Sequence, residues 1–424
     1  MSSYLRKKSP FTNCIALQAY RKAMYLILSI TCAILGVISG VKSYRFLRWL
    51  TIILAVSPSG LFFTNVNYFN GIYFLDYYFL GAGVTMLMAR RAKYFNQYLG
   101  KSVLYVFPLL LTAIYLGVAK GEISELFLKD LRPLITLIEI GMVTNYVRLS
   151  KPFSNRDFSI LVILSFFATV IYFTLITSKS LSAADHTYSE LGYRYGGAGT
   201  YIAAAFLIYQ ATNPLRLKKI EFAALIMAVV IILISTSRTL TLAILIVAGL
   251  NLLRNSRGAR SVCAVFAIGL GIGLSLASNV SGQAAERLSL EATSGNTFED
   301  SQFYNRISPA LIKINNFSGT DWVFGKGMGE GFEIPWFGYK GLDTENVVVD
   351  NYYISFLVKY GILGICLIFV LTKMMLPATG RTAIYYWIFC LICYLTIAMP
   401  YELFSIALFV FANIFSGRDH AKYY

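Results

Sequence analysis

Asp350 and Asn351 stand side by side at the head of the apolar run YYISFLVKYGILG, which begins at Tyr352. Either side chain suits a helix cap there, accepting a hydrogen bond from a first-turn amide. A carboxylate near low-dielectric surroundings is also placed to take a proton from a substrate hydroxyl, so Asp350 is a candidate general base. A second group of residues is cationic. Arg238, in STSRTLT at 235–241, separates two apolar runs. A guanidinium at that depth is costly unless it faces a cavity, a partner or a lipid headgroup. Arg194 in GYRYGGAG begins another apolar run, while Arg287 and Arg306, the latter in FYNRISP, lie in an acidic stretch. The rigid donor fork of arginine matches phosphate oxygens, so four such residues on one side fit a site for a diphosphate. The plainer alternatives are a snorkelling Arg238 and solvated or salt-bridged Arg287 and Arg306. Tyr195, Gly196 and Gly197 follow Arg194, and small residues there suit close backbone approach or helix packing alike.

FGKGMGEG at 324–331 carries glycines at 325, 327, 329 and 331, with Lys326 among them. No βαβ pattern surrounds it, so a tight loop near the site is expected rather than a dinucleotide fold. With His186 and His420 the sole histidines, no histidine-rich zinc site can be built. Nor do the early outward segments carry a paired-acid motif such as DxD, so neither metal nor cofactor is expected. Asp76 and Glu139 fall inside apolar spans and fit interhelical glue or a cavity lining equally well. Four or five of the six cysteines fall in apolar spans; CLIC at 390–393 has redox spacing but reads as buried apolar sequence.

These residues need elements to hold them. The 424 residues are 57% hydrophobic and 14% charged, with a mean hydropathy of +0.62. That composition predicts an all-α polytopic membrane protein, its helices of about 20 residues crossing a hydrocarbon core of roughly 30 Å. Spans are expected at 24–41, 46–64, 70–89, 102–119, 131–147, 158–177, 195–213, 219–235, 237–253, 261–279, 351–375, 382–399 and 402–417. Residues 1–22 carry scattered charges and no cleavage-site pattern, so no removable signal is expected.

The net charge of +16 is unevenly spread: residues 281–350 carry −5 and the remainder +21. Much of the excess sits in RRAK at 90–93, LRLKK at 215–219 and RNSRGAR at 254–260. Short basic connectors mark a cytoplasmic side, so the charge reports topology and not a nucleic-acid partner. Residues 281–350, 178–194 and about 119–130 are then extracytoplasmic. Counting back from 261–279 puts the N-terminus outside, against its Arg6, Lys7, Lys8, Arg21 and Lys22, so about 12 to 14 helices fit. With no internal repeat, residues 1–424 form one membrane domain.

The 281–350 loop reads as a folded cap over the helix bundle. In SPALIKI at 308–314, Ser308 suits an N-cap with Pro309 at the first helical position. Ile307, Leu311 and Ile314 then form an apolar stripe that suits the membrane or the bundle. Phe317, Trp322, Phe324, Phe332, Trp336 and Phe337 are many large aromatics for a solvent loop.

SRT at 237–239, a basic turn, a long outer loop with YNR at 304–306, FGKGMG at 324–329 and DNYYISFLVKYGILG at 350–364 follow in order. This ordered set, over roughly residues 190–365, resembles the O-antigen polymerase and ligase superfamily; the first half is similar in hydropathy alone. Ligases of that superfamily carry His-Asn where this chain has Asp350-Asn351, which favours the polymerase branch. The resemblance implies a GT-C-like helical fold. It implies a metal-independent glycosyltransferase joining undecaprenyl-diphosphate-linked oligosaccharide units on the periplasmic face of a bacterial inner membrane. Arg238 and Arg306 would then act with Asp350 in catalysis, and Arg194, Arg287, Asn351, Tyr304, Tyr195 and Lys326 would bind substrate. Membrane lipid and a chain-length-regulating membrane protein are the further partners implied, with no nucleic acid. A ligase transferring glycan to lipid A core, and a flippase or transporter of the same lipid-linked glycan, are the alternatives.

Overall fold

The computed structural model describes residues 26–38, 74–88, 102–119, 125–149, 153–177, 197–212, 217–235, 237–254, 257–280, 302–334, 345–377, 380–402 and 404–416. The chain over these residues is almost wholly helical. In order come α1 (Leu26–Ile38), α2 (Phe74–Met88), α3 (Ser102–Ala119), α4 (Glu125–Asp130), α5 (Arg132–Leu149) and α6 (Asn155–Thr177). There follow α7 (Ala198–Thr212), α8 (Lys219–Ile234), α9 (Arg238–Leu252), α10 (Arg257–Val280), α11 (Gln302–Asn315) and α12 (Gly319–Phe324). Last are α13 (Tyr352–Met375), α14 (Arg381–Cys393), a 3-10 turn (Met399–Tyr401) and α15 (Ser405–Ser416). One short antiparallel pair joins β1 (Phe332–Glu333) to β2 (Glu345–Asn346), with Phe332 opposite Asn346. Among the described residues, one helix, α13, is long and apolar enough to cross a membrane.

The hub is α7. Its run AGTYIAAAFLIYQAT is apolar on every side, and Ala198 to Leu207 are all buried. A helix without a polar face has to be surrounded. The small residues Gly199, Ala203, Ala204 and Ala205 let neighbours approach closely, and α6, α8, α9, α10, α14 and α15 pack around it. A second group gathers on α13, which meets α3, α5, α11 and α12. At the edge α1 crosses α2 so tightly that a Cβ on Gly36 would lie 2.1 Å from the Tyr78 carbonyl oxygen.

Hydrogen bonds fix which helix ends lie together. The start of α2 meets the start of α5 through Asp76 and Arg132. The starts of α7 and α9 meet the 394–402 segment through Tyr201–Glu402 and Thr239–Thr396. The start of α13 meets the end of α14, where the Tyr352 amide donates to the Tyr394 carbonyl at 2.9 Å. This is the end at which residues 302–334 and 345–350 fold back, termed here the loop end. At the opposite end Tyr209 bonds Asn155 and Asn413 bonds the Met375 carbonyl. Lys218 and Lys219 after α7, and Arg254 and Arg257 after α9, lie at that opposite end.

Three expectations are corrected. The helix around SPALIKI starts at Gln302, so Ser308 is not its cap and Pro309 sits inside it. Proline in a helix interior forfeits one backbone bond. The loss is offset by packing, because Ile307 and Ala310 on either side are buried, and α11 rests on β1 and α13. The stripe thus lies on the bundle. The span expected at 382–399 ends at Cys393, and the one expected at 402–417 starts at Ser405. Pro400 lacks the amide that would continue a helix, and it stands in the 3-10 turn. The span expected at 46–64 lies outside the described residues.

Candidate functional site

The loop end owes its shape to a break in α13. At Gly361 the backbone leaves the helix, with φ 62° and ψ −155°. An unbroken helix would bond the carbonyls of Val358 and Lys359 to amides four residues on. Here they accept from the glycine loop instead: Lys326 N–H to Val358 at 2.8 Å and Gly327 N–H to Lys359 at 2.9 Å. Met328 N–H reaches the Ala113 carbonyl of α3 at 3.1 Å. The loop FGKGMGEG is therefore wedged between α3 and α13. Gly327, at φ 102°, has no room for a side chain, since a Cβ would stand 2.8 Å from the Gly117 nitrogen.

A buried ion pair locks this wedge. Lys359, whose carbonyl is one of the two freed, pairs with Asp130 at the end of α4, and both side chains are fully buried. The Tyr401 hydroxyl donates to Asp130 Oδ1 at 2.8 Å, and the Gly329 amide donates to Oδ2 at 2.7 Å. The Lys359 ammonium also lies 5.8 Å from the ring centres of Phe332 and Tyr401. Beside it the Tyr352 hydroxyl is buried with no hydrogen-bond partner among the described residues, although buried polar groups normally find one.

A second cluster uses the residue two places along. Arg132 bonds Asp76 at 2.6 Å and Glu139 at 3.3 Å, all three buried. Asp76 and Glu139 are thus bridging partners of one guanidinium, which ties α2 to α5.

Above these lies a polar rim. Arg238 is the first residue of α9, half-buried, after Ser237, whose hydroxyl caps the helix. Its neighbour Thr239 bonds Thr396. Two residues before Thr396, Tyr394 receives the amide that follows the Asp350-Asn351 pair. Arg238 and Asp350-Asn351 therefore share the rim built on the 394–396 turn. Asn351 makes the cap of α13, its Oδ1 accepting from Ile354 N–H at 3.0 Å. Asp350 is exposed, one residue outside the cap. Glu402, held by the Tyr201 hydroxyl, belongs to the same rim.

Lys326 is not brought to that rim. Its ammonium bonds Asp321 at 2.7 Å and the Asn316 carbonyl at 3.2 Å, 5.6 Å from the Phe317 ring centre. Partial burial favours the neutral Asp321 carboxyl, but bonds from Lys326 and Ser318 outweigh it and hold the group down to about 2. Arg194, Tyr195 and Arg287 lie outside the described residues. Tyr304 and Arg306 fall in the first turns of α11, and their side chains are outside the described part. Sequence reasoning missed Asp130, Lys359, Tyr401 and Glu402. A lone lysine inside LVKYGILG was a usable signal, because a charge within an apolar span implies a buried partner. Among the described residues no group of histidine, cysteine and carboxylate side chains is set to hold a metal.

The chain belongs to the family described as Family of unknown function (DUF6369), whose family model matches residues 44–418. No curated protein and no solved structure matches it.

Proposed function

We propose that this member of the DUF6369 family is a multi-pass inner-membrane polymerase of lipid-linked oligosaccharide repeat units, working at the loop end. The membrane reading draws on the outward faces of the bundle, where Leu80, Phe107, Phe167, Phe222, Leu242 and Ile268 are exposed. Soluble monomers seldom expose so much contiguous apolar surface. The basic connectors at one end and the acidic loop at the other fit a cytoplasmic and an outer face.

The observation that carries the reading is Arg238. Its guanidinium stands at the N-terminal end of α9, where helix dipole and cation both favour an anion. Bound there, the donor's diphosphate keeps its lipid tail beside the apolar helix faces. The acceptor hydroxyl attacks the anomeric carbon, a C–O bond forms, and the bond to the diphosphate breaks with its electron pair. The hydroxyl proton passes to a rim carboxylate, with Asp350 the assigned acceptor, and polyprenyl diphosphate leaves. Arginines stabilise the developing charge; Arg194, Arg287 and Arg306 are assigned to that task by the sequence resemblance.

The test is reconstitution in liposomes with a polyprenyl-diphosphate repeat unit. The native chain should build a ladder of lengthened glycans in excess EDTA, and Arg238→Ala should leave single units. A ladder that needs added divalent ion contradicts the arginine mechanism. A second reading, transport of the same lipid, is favoured by the broken helix α13 and the Lys359–Asp130 pair, since discontinuous helices and buried charges recur in transporters. Movement of the lipid between leaflets with no elongation would select it.

A further inference from the structure

The glycine loop does more than fill a gap between helices: the helix before it carries an apolar face that is about half exposed, with the Trp322 ring edge-on to Phe317. Trp322, Val323 and Phe324 of α12 are 50%, 41% and 43% exposed. The backbone of α12 lies against α13 at its break, since a Cβ on Gly361 would meet the Val323 carbonyl at 2.3 Å. The next residue of α13, Ile362, is 60% exposed. The bare patch on α12 is thus continuous with the bare side of the helix most suited to span a membrane.

Depth can be read along α13. From Gly361 to Met375 is fourteen residues, about 21 Å at 1.5 Å each. With the last turn of α13, which carries Lys373, at the inner edge of a hydrocarbon core about 30 Å thick, the core extends past Gly361 toward the loop end by about 9 Å. Val323 and Phe324, packed at Gly361, are then below the membrane surface, and the Lys326–Asp321 pair, bonded nearer the loop end at Val358, stands toward the headgroups. Irregular backbone survives at that depth when its polar groups are bonded within protein. Here the amides of Gly325, Lys326, Gly327 and Met328 are bonded to Asp321, Val358, Lys359 and Ala113 in turn. The one charged pair of the segment, Lys326–Asp321, neutralises itself. A tryptophan beside such a pair suits the interfacial belt, where an apolar ring body and a polar N–H meet both phases.

We propose that α12 and the glycine loop form a re-entrant element of the outer leaflet, with Trp322, Val323 and Phe324 in contact with lipid acyl chains. The element rests on the membrane reading above. It gives the loop end a sideways wall made partly of lipid, beside the rim assigned to the lipid-linked substrate.

The experiment is quenching of tryptophan emission by lipids brominated on the acyl chain, in liposomes. One variant keeps Trp322 alone, with Trp49→Phe, Trp336→Phe and Trp387→Phe. A second lacks all four native tryptophans and carries Phe167→Trp, on the exposed face of α6. Both should lose most of their emission, Trp322 most strongly with bromine near the headgroup end. Quenching of the Phe167→Trp protein without quenching of Trp322 overturns the re-entrant element and leaves the membrane reading standing. No quenching of either overturns both. Loss of Trp322 quenching as protein is crowded in the bilayer means that a second copy covers the patch, and also overturns the proposal. Should the triple substitution not fold, Trp322→Phe in the otherwise native chain reads the same contact as the quenched share it removes.

Discussion

Asp130 and Arg132 are two residues apart, yet they anchor buried clusters of opposite kinds. Asp130 is one carboxylate with a matching cation, a hydroxyl and an amide, drawn from residues 359, 401 and 329. Arg132 is one guanidinium with two carboxylates, Asp76 and Glu139, which also bond each other. The first cluster spends every contact on joining segments distant in sequence. The second joins neighbouring helices and has a carboxyl to spare. A satisfied buried pair specifies a single arrangement, whereas a surplus one tolerates change.

The contrast is broken most severely at Lys359. Lys359→Ala leaves Asp130 buried without its cation, a loss of about 3–5 kcal/mol, read as a lower unfolding midpoint in detergent. Asp130→Leu combined with Lys359→Met should recover most of that loss; a double variant as weak as the single one denies the pairing its role. Next comes Gly361→Ala. The left-handed backbone alone costs about 1–3 kcal/mol, and the new Cβ would press on Val323. Arg238→Ala, in contrast, should leave the midpoint unchanged, and under the proposed function it should end elongation.

Glu139→Gln sharpens the comparison from the other side. Weakening one of the two carboxylate bonds to Arg132 should cost about 1–2 kcal/mol, less than Lys359→Ala in the same melt. Equal losses would erase the distinction between the clusters. The smallest effect belongs to the Lys326–Asp321 pair. Being partly open to solvent, it should yield about 0.2–1 kcal/mol on Lys326→Ala. Because the folded Asp321 carboxyl sits below its usual 3.8, its contribution is whole above that pH and fades as pH falls through about 2. Docking of α12, followed by Trp322 emission, should therefore be flat from neutral pH to about pH 4.

Much of the bundle was legible from hydropathy. The span at 102–119 is a helix over those same residues, and 219–235 and 351–375 differ from theirs by a residue. Backbone buried with such runs must bond within the protein, and a helix does so within one segment. The failures fall where a tertiary contact overrides a local rule. Pro309 looked like a helix start because proline is best tolerated there, but burial of Ile307 and Ala310 carries the helix through it. The end of α14 was obscured because TIAMPYELF stays apolar while Pro400 ends the helix. The Arg238 and Asp350-Asn351 motifs were visible in sequence, and the 394–396 turn that links them was not. The pairing of Lys359 with Asp130 spans 229 positions, a relation no local pattern encodes.

Hydrogen exchange at the amides of Lys326, Gly327 and Met328, with the protein in lipid nanodiscs, tests most directly whether this loop is built into the bundle. Protection comparable to the helical amides of α13, falling by orders of magnitude in Lys359→Ala, is the predicted result. Exchange in the native chain as fast as in a solvent loop would mean that the glycine segment does not complete the broken helix, and the architecture of the loop end described above would be wrong.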